Sequence, residues 1–208
     1  MSNKETGRVI LDCRVVSSPV VIKSYGIEKI FEVLVEYQCS KTRTCTIAVN
    51  YSNAVCEELH IGDTIKLHGH IRSIRITEEN KETDVKKTFK AMKIYIFMTD
   101  YELLDELPKD PENFVEFNLA KIANEPKLRK SYKDNDVNVT NFTLNISRGS
   151  GRVSYISCAA WNSLAVLVSK LPKDTVVNCT GNIQSRVNDR LDRLFVEISI
   201  SNLEVVSE

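Results

Sequence analysis

Most of the chain is written in short runs where apolar and polar residues alternate with a period of two. The run Val196-Glu197-Ile198-Ser199-Ile200-Ser201 shows the alternation plainly. Val, Ile, Thr, Tyr and Phe dominate these runs, which suits half-buried strands. The pattern predicts strands over 8–16, 29–37, 44–50, 64–76 and 92–104. It predicts five more over 115–123, 139–148, 153–161, 175–187 and 194–206. Two segments break the period. In 162–171, Leu164, Leu167, Val168 and Leu171 fall at helical spacing, and Pro172 stops the run. The stretch 52–60 carries Val55, Cys56 and Leu59 at comparable spacing before Gly62, which predicts a first helix. Each helix falls between the third and fourth strands of its half.

The halves repeat each other. Gly69-His70-Ile71-Arg72-Ser73 returns as Gly181-Asn182-Ile183-Gln184-Ser185, and Asp63-Thr64-Ile65 as Asp174-Thr175-Val176. Arg14-Val15-Val16-Ser17-Ser18-Pro19 returns loosely as Lys121-Ile122-Ala123-Asn124-Glu125-Pro126. Three matches in one order, at nearly one spacing, mean two copies of one domain. Between them, Asp105-Glu106-Leu107-Pro108-Lys109-Asp110-Pro111-Glu112-Asn113 is acidic and proline-bearing, as linkers are. The expected division is a first domain over 1–107, a linker over 108–113 and a second domain over 114–208. Five strands with a helix between the third and fourth is the order of an OB-fold. The expected fold is therefore all-β with short helices, as two tandem five-stranded Greek-key barrels.

Composition narrows the function. Of 208 residues 42% are hydrophobic, enough for a real core, and 28 basic residues balance 28 acidic ones. A strongly basic nucleic-acid coat is excluded, which leaves local basic patches. No apolar run approaches the length of a membrane span, and the polar start Met1-Ser2-Asn3-Lys4-Glu5-Thr6 does not read as a signal peptide. The expected compartment is the cytoplasm. Cys13, Cys39, Cys45, Cys56, Cys158 and Cys179 form no C-x-x-C pair, so all six are expected to be reduced core thiols. His60, His68 and His70 lack a third ligand at useful spacing. No P-loop, H-E-x-x-H or nucleophile elbow is present, so neither an enzyme nor a bound cofactor or metal is expected.

The second half resembles the bacterial single-stranded DNA-binding proteins. Phe117-Asn118-Leu119-Ala120-Lys121-Ile122-Ala123-Asn124-Glu125-Pro126-Lys127-Leu128-Arg129 is similar to their opening strand and turn. Asn141-Phe142-Thr143-Leu144-Asn145-Ile146-Ser147-Arg148 is similar to their second strand. Tyr155-Ile156-Ser157-Cys158-Ala159-Ala160-Trp161-Asn162-Ser163-Leu164-Ala165 is similar to the third strand and helix start. Gly181-Asn182-Ile183-Gln184-Ser185-Arg186 is similar to the fourth strand. The tandem arrangement resembles two-domain members from clostridial bacteria and mobile elements. Four OB domains usually assemble in that family, which implies a homodimer here. The resemblance implies roles in replication, recombination or repair, with single-stranded DNA as partner and no membrane. Asn162 stands where the family has a glycine after the third strand, as Ala120 does in the first strand, and Asn182 replaces a basic residue. The ending Leu203-Glu204-Val205-Val206-Ser207-Glu208 lacks the family's acidic recruiting tail.

Binding single strands without sequence preference takes aromatic platforms for bases and cations for phosphates. Along the third strand of the second half, Tyr155, Ser157, Ala159 and Trp161 share one face by alternation, and Ile156, Cys158 and Ala160 share the other. Tyr155 and Trp161 match family positions that stack on DNA. Trp161, the single Trp, has a second reading as a plug at one end of the barrel. Candidate phosphate ligands are Lys121, Lys127, Arg129, Lys130 and Lys133 near the first strand and turn, then Arg148, Arg152, Arg186, Arg190 and Arg193 at strand ends and hairpin tips. The first half offers Lys66, Arg72 and Arg75, but only Thr44 and Asn50 at the two aromatic positions. It is expected to bind weakly or to serve assembly. Tyr25, Phe31, Tyr37, Phe89, Tyr95, Phe97 and Tyr101 are read as core or strand-edge residues, and the insertion 77–90 as a polar hairpin tip. Two other functions remain open. One is a protein-interaction or dimerisation adaptor of primosome type, and the other is RNA binding.

Overall fold

A computed structural model describes residues 6–79, 88–131, 136–149, 151–188 and 193–206. The strands are β1 (Gly7–Val15), β2 (Val20–Tyr25), β3 (Glu28–Ser40), β4 (Arg43–Ser52), β5 (Thr64–Glu79) and β6 (Thr88–Leu104). They continue as β7 (Asn113–Ile122), β8 (Lys127–Lys130), β9 (Asn138–Ser147), β10 (Val153–Trp161), β11 (Val176–Asn188) and β12 (Arg193–Val205). One helix, α1 (Asn162–Val168), follows β10. The chain divides into two compact units. An N unit comprises Val9–Asn113 with Ser185–Val196, and a C unit comprises Met1–Arg8, Phe114–Gln184 and Glu197–Glu208.

The two units share one strand order. The N unit runs β2-β3-β4-β6-β5-β1, and a β3–β1 pairing closes it. The C unit runs β8-β9-β10-β12-β11-β7, closed by β7–β9. In each, the last strand lies parallel to the third: Val49 opposite Ile96 in one, Cys158 opposite Ile198 in the other. Both are therefore five-stranded OB barrels with one short extra edge strand, β2 or β8. Alternation fills the interiors. Leu11, Val35, Ile47, Ile65 and Ile96 are fully buried in the N unit, as are Phe117, Leu144, Ile156, Val177 and Ile198 in the C unit. Each such side chain contributes about 1.5–3 kcal/mol of transfer free energy.

Three expectations need correction. First, 52–60 forms no helix. β4 runs on through Ser52, whose carbonyl then accepts from Val55 N and Cys56 N at 2.9 and 3.2 Å in a turn. Cys56 and Leu59 reach the core from that turn, at 4% and 1% exposure, so nothing offsets the cost of nucleating so short a helix. Second, Lys127, Arg129 and Lys130 lie on a strand, β8, rather than in a loop. Third, not all cysteines are thiols. Cys39 and Cys45 form a disulfide at the end of the β3–β4 hairpin, where a register shift between Gln38 and Ser40 brings their Cα atoms to 5.9 Å. Cys13, Cys56, Cys158 and Cys179 are free and buried.

Candidate nucleic-acid interface

β10 carries the two expected aromatics. Ser154, Ile156, Cys158 and Ala160 face the core, while Tyr155 and Trp161 are 41% and 39% exposed; Ala159, on the ring side by alternation, is nevertheless buried at 1%. Trp161 is therefore not enclosed in the barrel core. It ends β10 in extended backbone (φ −125°), and the chain then enters α1 through Asn162 at φ 53°. α1 has no side-chain cap and no acidic residue in its first turn. Packing holds it instead, with Ala165 and Val168 buried and Thr140 Oγ1 donating to the Ala165 carbonyl at 2.9 Å.

Strand register sets the rest of the face, because directly opposed residues project to the same side of a sheet. Tyr155 opposes Asn145, and Asn145 opposes Lys121 of β7. Ala159 opposes Asn141, which opposes Lys127 of β8. Trp161 opposes Val139, which opposes Arg129. Each exposed ring is thus two strands, about 10 Å, from an exposed cation on its own side. Asn141, Thr143 and Asn145 form a polar floor between rings and cations. The sequence reading passed over these three, although their period-two spacing along β9 was the available signal.

The remaining candidates fall elsewhere. Lys130 opposes Asn138, one step from Arg129, and so projects to the other side of β8. Arg148 and Arg152 bracket the β9–β10 turn, where Arg148 N donates to the Arg152 carbonyl at 2.9 Å, three pairs beyond Tyr155. Arg72 and Arg75 belong to the N unit, and so does Arg186, within the segment Ser185–Val196. The Arg72 guanidinium lies 3.9 Å from the centre of the Phe97 ring, and that of Arg186 lies 5.1 Å from Phe195. Tyr95 is buried at 6% exposure, in keeping with a core reading, while Phe97 is half-buried on the side of β6 away from Ile96 and Met98. Lys133 and Arg190, the side chains of Arg193 and Phe89, and most of the 77–90 insertion lie outside the described residues.

Among the described residues no group of three or more His, Cys, Asp or Glu side chains is placed to hold a metal ion, and no helix is long and apolar enough to cross a membrane. Burial pushes the Cys179 thiol up to about 12 and holds the Cys158 thiol well above its ordinary value, so neither is a ready nucleophile.

No protein-family model matches the sequence, and no curated protein matches it. Solved structures do. The single-stranded DNA-binding protein of Thermus aquaticus, as an R190A deletion mutant, superposes with a TM-score of 0.72 at 17% identity, over 99% of this chain and 96% of that one. The wild-type Thermus aquaticus protein gives 0.70 at 16% identity, over 99% and 95%. The shared feature is the fold: this chain is a tandem pair of OB-folds.

Proposed function

We propose that this chain binds single-stranded DNA with little sequence preference and without enzymatic chemistry, and that the C unit supplies most of the affinity. The observation that carries the reading is the C-unit face, where exposed Tyr155 and Trp161 stand in register with Lys121, Lys127 and Arg129. Rings would take bases, and cations on the same side would take phosphates. The fold shared with the Thermus aquaticus single-stranded DNA-binding protein supports it. In this reading the protein protects or organises single strands in replication, recombination or repair within the cytoplasm. It does so as a homodimer of about 47 kDa, twice the 23.6 kDa chain, so that four OB domains assemble.

Trp161, the only tryptophan, reports on the face directly. Its fluorescence is titrated with dT, rU and duplex oligonucleotides at two salt concentrations. The proposal expects quenching by dT, a weaker response to duplex and a salt-dependent midpoint. A signal indifferent to dT would turn the reading to the adaptor. That alternative has its own observation: β2 is an edge strand with Val20, Val21 and Tyr25 exposed at 61, 47 and 62%, a ready surface for a protein partner.

A further inference from the structure

The two units differ in charge on the face that corresponds to the C-unit interface. In the C unit the β10–β9 rows are Tyr155 with Asn145, Ser157 with Thr143, Ala159 with Asn141 and Trp161 with Val139. None contains a carboxylate. Glu36 opposes Arg14 as Asn145 opposes Lys121, and Asn50 opposes Phe97 as Ala159 opposes Ser199, so the ring positions fall at Thr46 and Ser52 rather than at Thr44 and Asn50. The matching β4–β3 rows of the N unit are Thr46 with Glu36, Ala48 with Leu34, Asn50 with Glu32 and Ser52 with Ile30. Two of these four contain one. Lys93, on the same outward side of β6 as Phe97, gives its ammonium to both Glu32 oxygens at 2.6 Å. Because β4 lies between β3 and β6, that ion pair crosses β4, where Ala48 and Asn50 are only 3% and 6% exposed. Glu36 lines a cavity of about 280 Å³ at the hairpin end together with Lys41 and Arg43. A phosphate arriving at this face would meet two carboxylates, one of them with Arg14 opposite it, and a lysine already occupied.

We infer that Glu32 and Glu36 determine which unit takes nucleic acid. They keep single-stranded DNA off the N unit, Glu32 by holding Lys93 and Glu36 by repelling phosphate. The inference rests on the proposed function, since it explains why one of two like barrels would carry the binding. A missing ring at Thr46 or Ser52 weakens stacking, whereas a carboxylate on the face repels the strand outright.

The test uses the full chain as Glu32→Gln with Glu36→Gln, Glu36→Gln alone, and Lys93→Gln in both the native and the doubly changed background. Labelled dT oligomers of graded length are titrated by anisotropy at several salt concentrations. The double variant should cover a longer tract and bind long dT about three- to tenfold more tightly at low salt, from two favourable charge changes near the strand. Its log–log salt slope should steepen by about 0.7, the value for one further single-strand phosphate contact. Glu36→Gln alone should give a smaller gain of the same sign and leaves the ion pair intact, so it decides the matter if the double variant does not fold. Lys93→Gln should change nothing in the native background, and in the other should reduce the gain to that of Glu36→Gln alone. Unchanged tract length and slope in folded glutamate variants, or weakened binding on Lys93→Gln alone, would overturn the inference. Short dT oligomers, which need only the C unit, keep the two readings apart: absence of their binding defeats the proposed function, whatever the glutamate variants do.

Discussion

A Cβ on Gly69 would run into the carbonyl oxygen of Phe97, and one on Gly181 into that of Ser199. The repeated Gly-x-Ile motif is therefore a packing requirement met twice, where the fourth strand of each barrel lies tight against the fifth. Asn162 has an equally local reason. It stands where the resembling family has glycine and adopts φ 53°, a conformation that Asn tolerates better than most side chains. The turn from Trp161 into α1 is thus kept without the glycine. The stacking claim is also a matter of single residues. Tyr155→Ala and Trp161→Ala should each lose about 1–3 kcal/mol of affinity for dT oligomers. The loss should persist at high salt, because stacking releases no counterions. With both rings about 40% exposed, chemical denaturation should show little loss of stability, unlike the roughly 3–5 kcal/mol expected of a core aromatic. A folded Tyr155→Ala protein with native affinity would refute stacking at that ring.

At the scale of elements, the long strands follow from alternation and the two short edge strands do not. β2 is exposed at all six positions and β8 at all four, so neither has the in–out pattern that marks a strand. Their conformation comes from the neighbours they pair with, β3 and β9. This matters most for β8, because strand alternation sends Arg129 and Lys130 to opposite sides. Arg129→Gln should weaken single-strand binding and flatten its salt slope by about 0.7, while Lys130→Gln should leave the slope unchanged. Equal slopes for the two variants would mean that β8 does not present its residues to DNA as a strand. The missing N-unit helix belongs to the same scale. Leu59 and Cys56 already reach the core from a turn, so a helix there would gain no further burial.

For the molecule as a whole, balanced charge leaves the alkaline limit of stability to two buried tyrosines and one ion-paired lysine. Burial pushes Tyr37 and Tyr51 up to about 12. Lys66 is also raised, by its hydrogen bond to Glu112 and then by the charge of the buried Asp12, 3.8 Å away. Each of these groups holds its proton more tightly folded than unfolded. Their contribution is therefore complete below the unfolded values, near 10, and is lost as pH rises through the folded ones. Denaturation midpoints should fall between about pH 10 and pH 12, by about 1.4 kcal/mol per pH unit for each tyrosine. Tyr37→Phe should remove one such contribution from the slope. A midpoint flat over that range would show that these side chains ionise without unfolding the protein.

The sequence by itself determined the ten long strands, the second helix, the repeat and the core-facing side of β10. Each rests on a period or a match read along one stretch of chain. It also determined that Tyr155 and Trp161 share a face, because alternation is local. Tertiary structure decided everything that needed a second strand. Register placed Lys121 and Arg129 beside those rings and sent Lys130 away. It brought Lys93 to Glu32 and joined Cys39 to Cys45. It also put the far ends of β11 and β12 into the N unit, where Ser185 Oγ donates to the Thr46 carbonyl at 2.7 Å and accepts from Thr46 N at 3.1 Å. The physical reason is that side-chain direction follows from a residue's own backbone, whereas its neighbours are fixed by pairing between segments as much as 140 residues apart.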